Sequence, residues 1–327
     1  MALCENQELM KHLEDEWCEH YWNEFVLKYE DKLRWTDISR NPNINIKIIS
    51  ENRKKRWKLH SIAQNPNITM EIIKTHPHIE MYWENLCYNK NITMDFIREN
   101  INMPWNWNML SYHPNVTIEL INEYPKKFCW SAISRNPNIN FKIVKEYSNL
   151  PWNWLTLSLH LNVTLDNIKN NPTLPWVWEA LSTNKSFTMD IVKENPDIPW
   201  NYSLLSENPN ITMEFILDNI DKPWNWINIY INANVTVEFI KNTLNKDTKS
   251  EWKWEMLSRN PYITLKTIKE NPDISWNFSE ISLNENITFK FIEENINENL
   301  SWMGLSRNTF RKEKEIFMEK KIREYFS

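Results

Sequence analysis

Apolar residues in this chain of 327 residues recur every 24 residues, a period far longer than that of any helix or strand. Aligned on the second aromatic of a recurring Pro-Trp-Asn-Trp, the anchors are Trp35, Leu59, Trp83, Trp107, Trp130, Trp154, Trp178, Tyr202, Trp226, Trp254, Phe278 and Trp302. Nine of the eleven spacings are 24, one is 23 and one is 28, and such regularity marks a tandem array whose units bury their apolar faces against one another. Two residues before the anchor stands Trp57, Trp105, Trp152, Trp176, Trp200, Trp224, Trp252 or Trp276, with Leu, Met or Phe in the other units. Three residues after the anchor comes Leu or Ile, and the next position is small, usually Ser, as in Ser111, Ser182 and Ser258.

A polar turn follows, typically Asn-Pro-Asn (Asn41 to Asn43, Asn208 to Asn210), where Pro ends one helix and Asn tolerates turn geometry. After an apolar residue, Thr or Asn then recurs from Asn45 and Thr69 to Thr288, the residue types that cap a helix N-terminus. Acidic residues two positions on (Glu71, Asp95, Glu119) suit the positive end of that helix, and Ile or Val four positions after the cap marks its buried face. Each unit thus reads as two short helices joined by a Pro/Asn turn. Helices of about seven to ten residues are unstable alone, so stacking on neighbours must stabilise them. The two aromatics lie about 200° apart on a helix, which predicts that one packs inside its unit and the other bridges to an adjacent unit. The period predicts an all-α fold, a right-handed α-solenoid of about eleven helix-turn-helix units over residues 33 to 308. Capping helices at 1 to 32 and 309 to 327 complete one continuous domain.

Composition changes the picture in two ways. The chain has 19 Trp and one Gly, which argues against folds that cradle phosphates on backbone amides. Its net charge of -5 supplies no global field for a nucleic acid or an anionic membrane. Cys4, Cys18, Cys87 and Cys129 form neither a disulfide framework nor a paired metal motif and read as reduced thiols. No apolar run of signal-peptide or membrane-spanning length is present. The expectation is an intracellular protein that is not secreted and has no membrane partner, in which sequons such as Asn67 to Thr69 serve structure.

The motif PWNW-x-x-LS-x-NPNIT-x-x-x-I-K-E-NPD, running from about residue 33 to 307, closely resembles the tandem repeats encoded in many copies by giant DNA viruses of the mimivirus group. That resemblance implies a viral protein in the host cytoplasm or viral factory. The repeat length and Asn-Pro-Asn turn are also similar to leucine-rich repeat variants of bacteria, which lack the Trp pair. That likeness implies short helices, some of them 3₁₀.

No set of residues departs from the repeat and converges in the way a catalytic site needs, so no enzymatic activity, metal or cofactor is expected. The seven histidines (His12, His20, His60, His76, His78, His113, His160) read as loop and cap residues. His76 with His78, and Cys18 with His20, are the pairs nearest to a metal or nucleophile arrangement, and both lack further ligands. The Trp columns resemble platforms that stack bases, but their strict period reads as core. A local basic run, Arg53, Lys54, Lys55, Arg56 and Lys58, is the candidate polyanion contact and supports an alternative function in nucleic-acid binding. The one insertion, within 241 to 253, reads as a tolerated surface loop or a projecting contact.

The favoured expectation is a protein-protein interaction scaffold with a viral or host partner. Packing explains the constant columns, so specificity falls to the variable ones. These are the two residues after each anchor (Thr36 and Asp37, Glu84 and Asn85, Leu155 and Thr156, Glu255 and Met256) and the residue before the turn. In that last column the candidate partner-binding residues are Arg40, Tyr88, Tyr112, Arg135, Arg259 and Arg307, side-chain types common at interface hot spots.

Overall fold

The structure, a computed structural model, describes residues 2–75, 82–160, 162–232, 235–238, 241 and 257–326, with side chains from residue 7 onward. Among them every regular element is a helix, giving an all-α, solenoid-like repeat fold. The chain divides into two compact units, residues 1–91 with 251–327, and residues 92–250.

Within a repeat the first helix is shorter than the sequence suggests, from four residues in Tyr202–Leu205 to seven in Trp154–His160. The second spans five or six, as in Leu165–Lys169 and Met213–Asp218. Among the described residues all are α-helices, without the 3₁₀ turns that the likeness to bacterial repeats implies. The Asn of Pro-Trp-Asn-Trp caps the first helix, Asn201 Oδ1 accepting from Leu204 N and Asn225 Oδ1 from Asn228 N. Thr or Asn caps the second helix at Asn45, Thr93, Asn140, Thr164, Thr212, Thr264 and Thr288. Thr117 departs from that column, its hydroxyl bonding to the Glu119 carboxylate instead.

The second helix ends in a way that explains the missing glycines. Helix C-termini leave carbonyls that are often satisfied by a left-handed glycine turn. Here Asn195 Nδ2 donates to Ile191 O (2.9 Å), and the Trp200 indole donates to Asn195 O (3.0 Å). The same pair recurs as Asn100 with Trp105 and Asn219 with Trp224. With side chains doing this work no residue need take positive φ, and Phe310 alone does so among the described residues (φ 50).

Three apolar columns form the core: the residue three after the anchor (Leu181, Leu205), the residue after the turn (Phe187, Ile211) and the inward face of the second helix (Val192, Ile216), all buried. Each such burial contributes roughly 1.5–3 kcal/mol. The aromatic pair does bridge between repeats. In four repeats the ring before the anchor is the buried member (Trp105, Trp152, Trp200 and Trp224), while Trp57, Trp176 and Trp276 are half-buried; it meets the preceding anchor edge-on, as in Trp130 with Trp152 (5.4 Å) and Tyr202 with Trp224 (5.2 Å). Most anchors themselves are only half-buried, which corrects the expectation that both columns are core.

Two polar columns join the repeats. The small Ser donates to its anchor's carbonyl and accepts a backbone N–H from the next repeat: Ser206 Oγ bonds to Tyr202 O and takes Asn225 N. The first Asn of the turn is fully buried; Asn208 Nδ2 reaches Ser182 O, Asn184 O and Phe187 O of the preceding repeat. The second Asn adds another rung, Asn210 Nδ2 reaching Lys185 O and Phe187 O, so the sequon amide has a structural use.

The two ends of the chain meet inside the first unit. Arg34 N donates to Ser306 Oγ (2.8 Å), Asn41 Nδ2 to Ser306 O and Asn308 O, and Asn43 Nδ2 to Thr309 O. These are the bonds, in the same register, that join consecutive repeats. The expected capping helices, Ala2–Tyr21 and Arg311–Phe326, flank this contact. A π-helical turn, Trp22–Val26, extends the first of them. Phe25 stacks on Phe289 (5.5 Å) and meets Phe310 (4.7 Å), and all three rings are buried.

Candidate interaction surface

The residue before each turn leaves the first helix just beyond the buried Leu and Ser, so its side chain projects outward. Tyr88, Arg135, Arg259 and Arg307 are exposed there, and Arg40 and Tyr112 are half-buried. In no described repeat is this position buried. The second residue after the anchor behaves differently from expectation. Asp37 and Thr156 are buried, while Glu84 and Leu155, at or beside the same helix start, are exposed. The correction has a physical cause: this position faces the outward residue of the preceding repeat. Arg259 Nε lies 3.1 Å from Glu280 Oε2, and Asn228 Nδ2 donates to Glu207 Oε1 (2.8 Å). Elsewhere the outward residues meet one another, the Arg135 guanidinium lying 5.9 Å from the Tyr112 ring centre. Glu255 and Met256 lie outside the described residues, as do Trp252, Trp254, His76, His78 and nearly all of the 241–253 insertion.

One junction is crowded with charge. The buried Asp37 carboxylate, 1% exposed, has Arg40 Nη2 at 2.5 Å and Arg307 Nε at 3.1 Å from Oδ1, and Arg34 Nε at 3.4 Å from Oδ2. The sequence placed Arg40 and Arg307 in the outward column but gave no reason to group them. Arg34 it passed over, because the grouping exists only when the last repeat precedes the first.

The basic run is less available than its sequence suggests. Lys55 pairs with Glu30 and Arg56 with Asp31 (3.2 Å), leaving Arg53, whose Nε donates to the neutral Ser50 O, and Lys54 and Lys58 as exposed cations. The Arg56 guanidinium also covers the Trp35 ring at 5.5 Å, so one candidate stacking face is occupied.

The cysteine and histidine pair near the N-terminus gains no reactivity from its surroundings. Burial pushes the Cys18 thiol up to about 12, far from a thiolate at neutral pH. His20 stacks on Phe289 (5.8 Å) and Phe317 (4.9 Å), and desolvation holds its pKa below the ordinary value. His113 is buried at the place of the laddering Asn, its Nδ1 accepting from Asn115 N. Among the described residues no three His, Cys, Asp or Glu side chains gather as a metal-holding group, and no helix is long and apolar enough to cross a membrane. No protein-family model, curated protein or solved structure matches the chain.

Proposed function

We propose that the chain is a non-enzymatic scaffold that binds another protein through the outward residues at the end of each first helix. One observation carries this reading. Beside Arg135 and Arg259 the neighbouring Asn136 and Ser258 are consumed by ladder bonds, whereas the two arginines remain exposed and take no part in the core. Arg and Tyr at such positions suit interface hot spots, because they bring large contact area and several donors. The resemblance to giant-virus repeats sets the reading in an infected cell, in its cytoplasm or viral factory, with a viral or host partner. Affinity capture from infected cells tests it. Arg135→Glu and Arg259→Glu are expected to lose the captured partner while staying folded, with only a small drop in melting temperature where Arg259 leaves Glu280, and retention by both variants would refute the assignment. Nucleic-acid binding through the basic loop, with Arg53, Lys54 and Lys58 as its cations unpaired among the described residues, is the competing reading. It predicts affinity falling steeply with salt, unlike a mixed apolar contact, and the ion pairs on Lys55 and Arg56 weigh against it.

A further inference from the structure

The charge at the junction of the last and first repeats is not balanced. Three guanidiniums, of Arg34, Arg40 and Arg307, share the single carboxylate of Asp37, leaving two positive charges in excess. Among the described residues no second acid pairs with any of the three. The corresponding contact between Arg259 and Glu280 is one to one. The carboxylate is out of solvent, while the arginine side chains are 40–51% exposed, so the acid anchors the cluster from beneath and the guanidiniums keep contact with solvent. A guanidinium carries five donors in a planar fork, of which the pairing to Asp37 engages only some. Guanidiniums gathered this closely repel one another, and one Asp offsets only part of that repulsion. An incoming dianion would offset the rest. Arg34 is also tied down by its backbone N–H to Ser306, and its Nη1 rests on Met303 Sδ (3.2 Å), so the fork is already oriented.

We propose that Arg34, Arg40 and Arg307 form a receptor for a phosphomonoester, presented as a phosphorylated side chain of a peptide partner. Its charge of about -1.5 to -2 at neutral pH matches the excess, and its three oxygens can accept from guanidiniums at both ends of the first repeat's helix and from the last repeat. A carboxylate side chain would offset only half of the excess. The assignment rests on the protein-binding reading above and narrows the partner to one that is phosphorylated.

The test uses the full-length protein and a fluorescent peptide with one phosphoserine among Gly and Ala, its unphosphorylated twin, and inorganic phosphate as competitor. Anisotropy is expected to show the phosphopeptide binding at least about tenfold tighter than its twin, with phosphate competing. Arg40→Gln with Arg307→Gln is expected to remove that preference, and Asp37→Asn, which raises the excess charge, to keep or strengthen it. Arg34→Gln, at the most exposed of the three, serves if the double variant melts early. Equal binding of the two peptides, or a preference that survives the arginine changes, would overturn the proposal. Arg135→Glu separates the two readings. A partner lost with Arg135→Glu while phosphopeptide discrimination is absent refutes this site and leaves the scaffold standing. Discrimination that persists while capture is unaffected does the reverse.

Discussion

The junction where Asn201 N meets Ser182 and the junction where Arg34 N meets Ser306 use the same bond, at 3.0 and 2.8 Å, yet their partners lie 19 and 272 residues apart. The ladder of Ser hydroxyls and Asn carboxamides thus acts without regard to chain connectivity. Its donors and acceptors are repeat positions, and any two repeats in the correct register satisfy them. Connectivity does enter the entropy. For a free coil, closing the longer loop costs about 2 kcal/mol more than closing the shorter. The end junction has compensations that the internal ones lack: the Phe25, Phe289 and Phe310 cluster, and ion pairs from Lys314 to Glu14 (2.5 Å) and Lys321 to Glu16 (2.8 Å). The laddering Asn41 reaches two preceding carbonyls where Asn208 reaches three, and the internal Asn136 and Asn308 also reach two.

The largest effects should come from the buried rings. Trp200→Ala and Phe25→Ala are each expected to cost about 3–5 kcal/mol in urea unfolding, and Trp178→Ala, at a half-exposed anchor, about 2 kcal/mol. Equal losses at Trp178 and Trp200 would erase the distinction between the two aromatic columns. Next, Asn208→Ala removes its bonds to three carbonyls and should cost about 3 kcal/mol, against about 2 kcal/mol for Asn41→Ala. A silent Asn41→Ala would break the equivalence of the end and internal junctions.

Charge should separate the junctions more gently. Asp37→Asn, removing a buried carboxylate shared by three arginines, is expected to cost about 1–2 kcal/mol. Glu280→Gln, in a partly exposed pair, should cost under about 0.5 kcal/mol, a difference visible as separate shifts in melting temperature.

The smallest expected effect is on pH. Burial lowers the His20 pKa, so below its ordinary value of 6.5 the unfolded chain binds a proton that the folded chain refuses. Stability from this residue is therefore full above pH 6.5 and lost as pH falls below it. Glu313 works in the opposite sense: burial raises its pKa, so the folded form takes up the proton first and gains stability as pH falls towards 4.5. Melting curves of His20→Asn between pH 7.5 and about 5 should be flatter than the parent's. An unchanged slope would remove His20 from the balance.

Much of the local structure was legible in single residues of the sequence. Thr212 and Asn140 announced helix starts, because a short side-chain oxygen before an apolar run has one good use there. The period put Leu205 and Ile216 inside, because only burial explains an aliphatic side chain at a fixed place in repeat after repeat. The outward column, too, could be read as what packing left over. The partners of the ladder could not. Asn208 reads as a turn residue, and only the stacking of repeats shows that its amide spans three carbonyls of its neighbour. Nor could the sequence tell which ring of each Trp pair is buried, since both columns are equally regular. The arginine cluster around Asp37 lies furthest from view. Local pattern fixes what each residue prefers within a few turns, but Arg34 and Arg307 stand far apart in the sequence, and their meeting on Asp37 is a long-range contact that no single column encodes and that only the tertiary structure decided.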